Sequence, residues 1–149
     1  MKYSLLALLF AFMISCKSTP EKDYASINEK QIIEYVKKNK LEAIKSESGL
    51  YYLIDEAGEG AKPTSASTVQ VAYKGYFLNG EIFDESNEEG ISFPLKRVIK
   101  GWTEGIAYFK EGGKGKLLVP SYLGYGDYDT RGIPGGSVLV FDIHLITVK

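Results

Sequence analysis

Residues 98–113 read VIKGWTEGIAYFKEGG, and this segment interrupts a chain that otherwise alternates like strands from residue 50 onward. Trp102, Ile106 and Phe109 are spaced at i, i+4 and i+7, which places them on one face of a helix. Gly112 and Gly113 follow as a helix stop signal. We therefore predict a short helix here, packed through its apolar face on the rest of the domain.

The chain around this segment is predicted to form strands. Aromatic and branched residues, or strict apolar and polar alternation, are typical of half-buried strands. Strands are predicted on these grounds over residues 50–55, 69–74, 116–119 and 138–148, with a hairpin at Asn79-Gly80. The sequence thus predicts an α+β fold, with an antiparallel sheet of about five strands crossed by one short helix.

The last predicted strand shows two distinct faces. Its apolar face carries Leu139, Phe141, Ile143 and Leu145. Asp142 and His144 lie on the other face, so we expect His144 to be exposed to solvent and to have no catalytic role.

Composition excludes several classes of protein. The 149 residues carry 18 basic and 19 acidic side chains, a net charge of −1, so no basic excess exists to follow a nucleic-acid backbone. One cysteine cannot form an internal disulfide, and one histidine cannot build a multi-histidine zinc site. We expect no nucleic-acid partner, no metal and no cofactor.

The N-terminus is predicted to be an export signal. Met1 and Lys2 precede ten apolar residues, 5–14, which are too few to span a bilayer and suit the h-region of a secretory signal. The run from Met13 to Cys16 resembles a bacterial lipobox, which implies a signal peptide over residues 1–15 and a lipid on Cys16 that holds the protein on the membrane. Lys17 after the cysteine implies the outer membrane, facing the periplasm. An ordinary secretory signal with an incidental cysteine is the alternative.

A linker and a helix are predicted to precede the domain. Residues 16–27 form the lipidated cysteine and a polar spacer, and Ser26 and Glu29 have the spacing of a capping box. An apolar stripe then predicts a helix from Asn28 to Asn39 that resumes towards Ile44, which assigns residues 28–46 to the N-terminal helix and 47–149 to the domain. The stripe either packs on the domain or a second copy, or serves as an arm for dimerisation or client binding.

The residues contain none of the common catalytic motifs. A Cys–His pair is excluded if Cys16 carries the lipid, and no G-x-S-x-G elbow, phosphate loop or dinucleotide fingerprint is present. Glu88 and Glu89 lie in a polar loop that we expect to be solvated. What remains is a group of aromatic and branched residues with one acid, Asp84.

The order and spacing of that group resemble a known family. The decisive strings are VAYKG at 71–75, NGEIFDES at 79–86, VIKGWTEG at 98–105, YG at 125–126, IP at 133–134 and LVFD at 139–142. Over residues 49–149 the chain resembles an FKBP-type peptidyl-prolyl cis/trans isomerase. The layout of lipobox, helix and domain is similar to membrane-anchored FKBP lipoproteins, including some associated with gliding motility.

The resemblance implies a fold and a set of roles. The sheet would curl around the short helix, and the substrate would be a proline-containing polypeptide client. Trp102 would form the pocket floor, the backbone N–H of Ile99 would meet the substrate carbonyl, and Asp84 would orient neighbouring hydroxyl groups. The other implied positions are pocket walls at Tyr73, Phe83, Ile91, Val98 and Phe141, and a contact of Tyr125 with the substrate backbone. Ile133 would lie in a loop beside the pocket, residues 127–136, called the flap. Isomerisation would follow from desolvation and twisting of the amide, without covalent or acid–base chemistry.

Three departures from the family pattern leave two hypotheses open. The segment after Asp84 has no arginine for an acid–arginine pair, Arg97 stands where an acid is common, and the flap is polar with Gly132 in place of an apolar residue. The chain is therefore either an isomerase that assists folding of exported proteins, or an FKBP-fold chaperone or scaffold of an envelope machine with little catalysis. The aromatic set favours the isomerase.

Overall fold

The structure is a computed structural model and describes residues 21–149, so the predicted signal and Cys16 lie outside the described residues. Within residues 21–149 there are two α-helices, α1 (Tyr24–Lys38) and α2 (Lys100–Gly105). The strands are β1 (Ile44–Lys45), β2 (Tyr51–Glu56), β3 (Thr68–Phe77), β4 (Ile82–Glu85), β5 (Ile91–Pro94), β6 (Lys114–Val119) and β7 (Leu139–Val148). Short 3₁₀ turns cover Leu95–Arg97, Ile106–Tyr108 and Ser121–Leu123.

The strands form one antiparallel sheet in the order β1-β2-β6-β7-β3-β4, and β5 also pairs with β3. The predicted α+β class, with an antiparallel sheet and a short helix, is confirmed. The described residues contain seven strands where about five were predicted. The two additional strands, β1 and β5, have only two and four residues, which is too short to show a period in the sequence.

The short helix packs on the inner face of the sheet as predicted. Trp102, Ile106 and Phe109 are all buried in one core with the inner face of β7. The helix is shorter than its apolar spacing predicts, because α2 ends at Gly105. A 3₁₀ turn covers Ile106–Tyr108, and Phe109 follows it in an extended conformation. Gly105 allows the close approach, since a Cβ there would lie 2.7 Å from Leu117.

The outer face of β7 is only partly polar. The predicted apolar face is buried, but Val140 on the opposite face is also fully buried. It belongs to a second apolar cluster beneath α1, which covers this end of the sheet. Asp142 and His144 lie further along, and His144 is half-buried rather than exposed because it lies on a strand in the middle of the sheet.

The first helix begins earlier and ends earlier than predicted. Its N-cap is Asp23, whose side chain accepts hydrogen bonds from the backbone N–H and the hydroxyl of Ser26. The predicted capping box is therefore wrong, because Asp23 and not Ser26 is the N-cap. The Glu29 side chain bonds Lys45 and Tyr51 instead. The helix ends at Lys38 and does not resume, so residues 28–46 do not form one helix.

The apolar stripe of α1 packs on its own domain. Ile32 is fully buried against Tyr51, Leu118, Val138 and Val140. The apolar stripe of α1 therefore packs on its own domain, which was one of the predicted alternatives. A dimer through this helix stays a prediction, and it would have to use the outward face, where Ile27 is 40 % exposed.

The predicted hairpin joins β3 to β4 and sets the position of two site residues. The N–H of Phe77 donates to the carbonyl of Glu81 at 2.9 Å, and Gly80 adopts φ +88°, a conformation that favours glycine. The hairpin confirms the Asn79-Gly80 signal. It brings Phe83 and Asp84 beside the inner face of β3.

Candidate active site

A concave pocket of 300 Å³ opens where the inner face of the sheet meets the start of α2. Its lining combines side chains from four strands, from α2 and the turn before it, and from the loop after residue 124. These are Tyr73, Phe83, Asp84, Ile91, Phe93, Arg97, Val98, Ile99, Trp102, Tyr125, Arg131 and Phe141. Nine of the ten site residues predicted for the domain are among them, and the exception is Ile133.

Trp102 is the centre of the aromatic lining. Its ring lies 4.9 Å from Tyr73 and 5.2 Å from Phe141, both in edge-to-face contact, and 5.3 Å from Phe93. Phe83 packs edge-on against Phe141 at 5.6 Å. Trp102 is buried, and its indole Nε1 has no hydrogen-bond partner among residues 21–149. Interlocked edge-to-face rings hold one another in place, so the pocket is formed before any ligand enters.

The acid in the pocket is held by a tyrosine. The Tyr73 hydroxyl donates to Asp84 Oδ2 at 2.7 Å. Burial, and next the hydrogen bond to Asp84, raise the pKa of Tyr73 well above its usual range. The phenol therefore stays protonated at neutral pH and remains a donor. The Tyr73 hydroxyl therefore donates a hydrogen bond to Asp84 in a chain that has no arginine in residues 85–90 to pair with that carboxylate.

The turn into α2 presents backbone groups beside the pocket. Ile99 is the N-cap residue, and its carbonyl accepts from the N–H groups of Trp102 and Thr103. The Thr103 hydroxyl donates to the carbonyl of Leu95 at 2.5 Å, which ties the preceding 3₁₀ turn to the helix. Within the described residues the Ile99 N–H has no backbone acceptor, and Ile99 lines the pocket.

The family model for FKBP-type peptidyl-prolyl cis-trans isomerase matches residues 59–146. The chain belongs to this family. Within the FKBP family, the curated relative FkpA of Escherichia coli K12 is 45% identical over 139 residues, which is 91% of this chain and 51% of the relative. FkpA of Aeromonas hydrophila is 42% identical over 137 residues, covering 89% and 51%. The chain thus spans about half the length of these curated relatives.

Solved FKBP structures resemble this one over most of its length. The crystal structure of Escherichia coli FkpA superposes with a TM-score of 0.75 at 44% identity, covering 84% of this chain and 61% of that one. A peptidyl-prolyl cis-trans isomerase from Pseudomonas syringae gives a TM-score of 0.73 at 29% identity, covering 88% and 98%. The FKBP fold is therefore shown by sequence and by structure.

The structure does not bring Ile133 to the FKBP pocket. Its side chain is buried in the inner core. Thr130 and Ile133 pair across a two-residue turn in which Arg131 has φ +51° and Gly132 has φ +80°. This turn directs Ile133 inward, and Arg131 lines the pocket instead. This turn lies within the flap, residues 127–136.

Sequence reasoning did not assign three of the lining residues to the site. Phe93 lies on β5, whose pairing with β3 from Thr68↔Pro94 to Val71↔Ile91 was not predicted. Arg97 was recognised only as a departure from the family pattern, and Arg131 only as part of a polar flap. No periodic signal marks a residue in a short edge strand or a loop, so only the tertiary structure places these three.

The N-terminal helix contacts the end of the flap and the 3₁₀ turn that precedes the flap. Asn28 is fully buried, its Nδ2 donates to the Gly136 carbonyl at 2.9 Å, and its Oδ1 accepts from the Ser121 N–H at 2.7 Å. The Gly136 N–H in turn donates to the Gly126 carbonyl at 2.9 Å. The helix and the flap of this FKBP domain are therefore joined through one buried amide.

Other features of the described residues do not suggest a second reaction. A larger open cavity of 540 Å³ lies on the outer side of the sheet, and charged side chains such as Lys74, Lys114, Asp142 and His144 line it. In residues 21–149 no group of three or more His, Cys, Asp or Glu side chains is placed to hold a metal ion. In the same residues, no helix has the length and apolar character to cross a membrane.

Proposed function

We propose that this protein is a peptidyl-prolyl cis/trans isomerase that accelerates rotation about X-Pro bonds in polypeptides. The observation that carries the proposal is the preformed aromatic pocket, with Trp102 at its centre and Asp84 and Tyr73 hydrogen-bonded at its edge. Its 300 Å³ volume is at the small end of ligand pockets, which suits a proline ring better than an extended cofactor.

The pocket residues suit a reaction that breaks no covalent bond. X-Pro isomerisation takes about 10–100 s because rotation must overcome an activation energy of about 20 kcal/mol. Charge separation across the amide falls as the bond twists away from the plane. A dry aromatic surface therefore disfavours the planar amide relative to the twisted one, and each 1.36 kcal/mol of difference is worth about ten-fold in rate. Trp102 and Phe141 would hold the ring while the preceding carbonyl turns towards the Ile99 N–H.

The test is a protease-free isomerisation assay on X-Pro peptides with purified protein. Trp102→Leu keeps a buried apolar side chain but removes the flat aromatic surface, and we expect at least a ten-fold loss of kcat/KM. Phe109→Leu is the matched control, because Phe109 is fully buried in the same core and does not line the pocket. Folded protein without activity on any peptide would leave the alternative, an FKBP-fold chaperone or scaffold with little catalysis.

For location, we propose export to the cell envelope and anchoring through a lipid on Cys16. The support is the apolar run of residues 5–14 followed by Ser15 and Cys16. A single acyl chain binds membranes only marginally, and several chains on one cysteine make release negligible. Clients would be exported proline-containing proteins, and an outer-membrane position and a role in gliding motility stay predictions. Cys16→Ser should move the protein from the membrane to the soluble envelope fraction, and unchanged membrane association would contradict the lipid anchor.

A further inference from the structure

The charged side chains that line the pocket are unequal in number. They are one acid, Asp84, and two arginines, Arg97 and Arg131. Asp84 already accepts the Tyr73 hydroxyl at 2.7 Å. The three ion pairs found within residues 21–149 all join a lysine to an acid, and neither arginine takes part in them. Both guanidinium groups are therefore available to a ligand in the pocket.

The flap directs its acids away from the pocket and its arginine into it. Asp129 Oδ1 accepts from the Gly135 N–H at 2.8 Å, and Asp127 Oδ1 accepts from the Ser121 hydroxyl at 3.3 Å. The Asp129 carboxylate therefore stabilises the flap itself, and the Asp127 carboxylate ties the flap to the preceding turn at Ser121. Arg131 is the one charged flap residue that lines the pocket.

Arg131 occupies an unusual backbone position. With φ +51° it lies in the left-handed region, which costs an L-residue conformational energy that glycine would avoid. The turn around it is fixed by two hydrogen bonds, from the Thr130 N–H to the Ile133 carbonyl at 3.0 Å and from the Ile133 N–H to the Thr130 carbonyl at 2.9 Å. These hydrogen bonds fix the backbone at the point from which the Arg131 side chain extends along the pocket rim.

Positive charge continues beyond the pocket on the side of Arg97. Val98 forms a wall shared with a neighbouring groove, which is also lined by Lys96 and Lys100. Both lysines are exposed. A polypeptide that leaves the proline pocket over Val98 would pass these cations, and Glu104 is the one acid that lines this groove.

We infer that Arg97 and Arg131 make this pocket select client segments in which an Asp or Glu side chain is adjacent to the proline. The inference rests on the proposed isomerase function and names its substrate class. Guanidinium groups bind carboxylates through paired, charge-assisted hydrogen bonds, and they retain their charge at every physiological pH. The aromatic lining binds the proline ring, and the arginines on the rim distinguish its neighbours.

The experiment compares isosteric peptides that differ only in charge. We measure kcat/KM for Glu-Pro against Gln-Pro peptides, and for Pro-Glu against Pro-Gln peptides, at low salt. We expect a Glu preference of about three- to five-fold at one of the two positions, the size of an exposed ion-pair effect. Raising the salt concentration should reduce this ratio, because exposed charges are screened.

Variants assign the preference to the two arginines. In the double variant Arg97→Gln, Arg131→Gln we expect the Glu/Gln ratio to fall to about one, and in the double variant Arg97→Glu, Arg131→Glu to fall below one. Lys62→Gln is the control, since Lys62 is exposed and lines neither the pocket nor the neighbouring groove, and it should leave the ratio unchanged. If the double variant does not fold, the single variants Arg97→Gln and Arg131→Gln, both at exposed positions, replace it, and the inference is overturned if neither lowers the ratio.

Two kinds of failure are distinguishable. A protein that turns over Gln-Pro and Leu-Pro peptides with no Glu preference at either position overturns this inference and leaves the isomerase proposal intact. A folded protein that turns over none of the peptides overturns the isomerase proposal itself. A Glu preference that survives in the double variant shows that other residues carry it, and also overturns the inference.

Discussion

Tyr73 links the aromatic lining to the single acid of the pocket. Its ring packs edge-on against Trp102 at 4.9 Å while its hydroxyl donates to Asp84 at 2.7 Å. One residue therefore contacts both the Trp102 ring and the Asp84 carboxylate. Residues 85–90 contain no arginine that could contact Asp84. The structure assigns that contact to Tyr73.

Removing either partner should reduce activity more than stability. In Tyr73→Phe the carboxylate loses a donor worth about 0.5–1.5 kcal/mol, and we expect kcat/KM on X-Pro peptides to fall several-fold. Asp84→Asn keeps the shape but removes the charge, and we expect a loss of about ten-fold, equivalent to 1.36 kcal/mol. Thermal unfolding of both variants checks that the fold is kept. Unchanged activity in both would show that the pair has no part in turnover.

The raised pKa of Tyr73 predicts a loss of stability in alkali. The unfolded chain ionises this phenol near its ordinary value of 10.0, whereas burial keeps it neutral in the fold. The unfolded state is therefore favoured as pH rises above about 10, and no loss is expected from this group below that pH. The measurement is the melting temperature between pH 8 and pH 11. Tyr73→Phe should reduce the alkaline loss, while Tyr128→Phe, at a side chain 82% exposed, should not.

At the scale of elements, α1 is tied to the flap as well as to the sheet. Asn28 bridges Ser121 and Gly136, which lie before and at the end of the flap. The ring of Tyr24 lies so close to Gly136 that a Cβ there would be 1.9 Å from it. Arg131 of the same flap lines the pocket. A shift of α1 would therefore be transmitted through Asn28 and Gly136 to the pocket rim.

Asn28→Ala should therefore destabilise the fold and loosen the flap. The Ser121 N–H and the Gly136 carbonyl would remain buried without their partner, at a cost of about 1–3 kcal/mol. Chemical denaturation measures that cost, and amide hydrogen exchange across residues 127–136 measures the loosening. Glu34→Ala on the exposed side of the same helix is the control and should do neither. Equal exchange in both variants would show that the flap keeps its order without the helix.

At the scale of the whole molecule, two apolar clusters share the same central strands. Leu117 faces the inner cluster beneath α2, and its neighbour Leu118 faces the outer cluster beneath α1. Leu139 and Val140 repeat this arrangement on β7. Because adjacent residues of one strand belong to different clusters, neither cluster can lose its packing without disturbing the strands that the other needs.

We expect the described part of the chain to unfold as one unit, although α1 lies far from the pocket in sequence. Ile32→Ala, in the outer cluster, should cost about 2–5 kcal/mol, the range for a buried large-to-small change. Tryptophan fluorescence reports on the inner core through Trp102, and far-UV circular dichroism reports on all elements. Both probes should shift together in Ile32→Ala. Two separate transitions would show that α1 and the outer cluster are an independent unit.

The sequence by itself determined the class of fold and most of the pocket. Strand alternation and the Asn79-Gly80 hairpin are local signals that the tertiary structure did not override. The spacing of Trp102, Ile106 and Phe109 correctly placed all three in the core, although the α-helix itself ends at Gly105. The family resemblance then placed nine site residues that do line one pocket. The fold signals could be predicted because each lies within a few residues of the chain. The nine site residues are spread from Tyr73 to Phe141, and they could be predicted only because the order of the family strings was present.

Only the tertiary structure decided the rest. Asp23 caps α1 in place of the predicted Ser26. The Glu29 side chain, which the predicted capping box required, bonds Lys45 and Tyr51 instead. Ile133 turned into the core, and Arg131 took its place at the rim because of a two-residue turn with positive φ. Contacts between residues far apart in sequence made these choices, and local propensity records no such contacts.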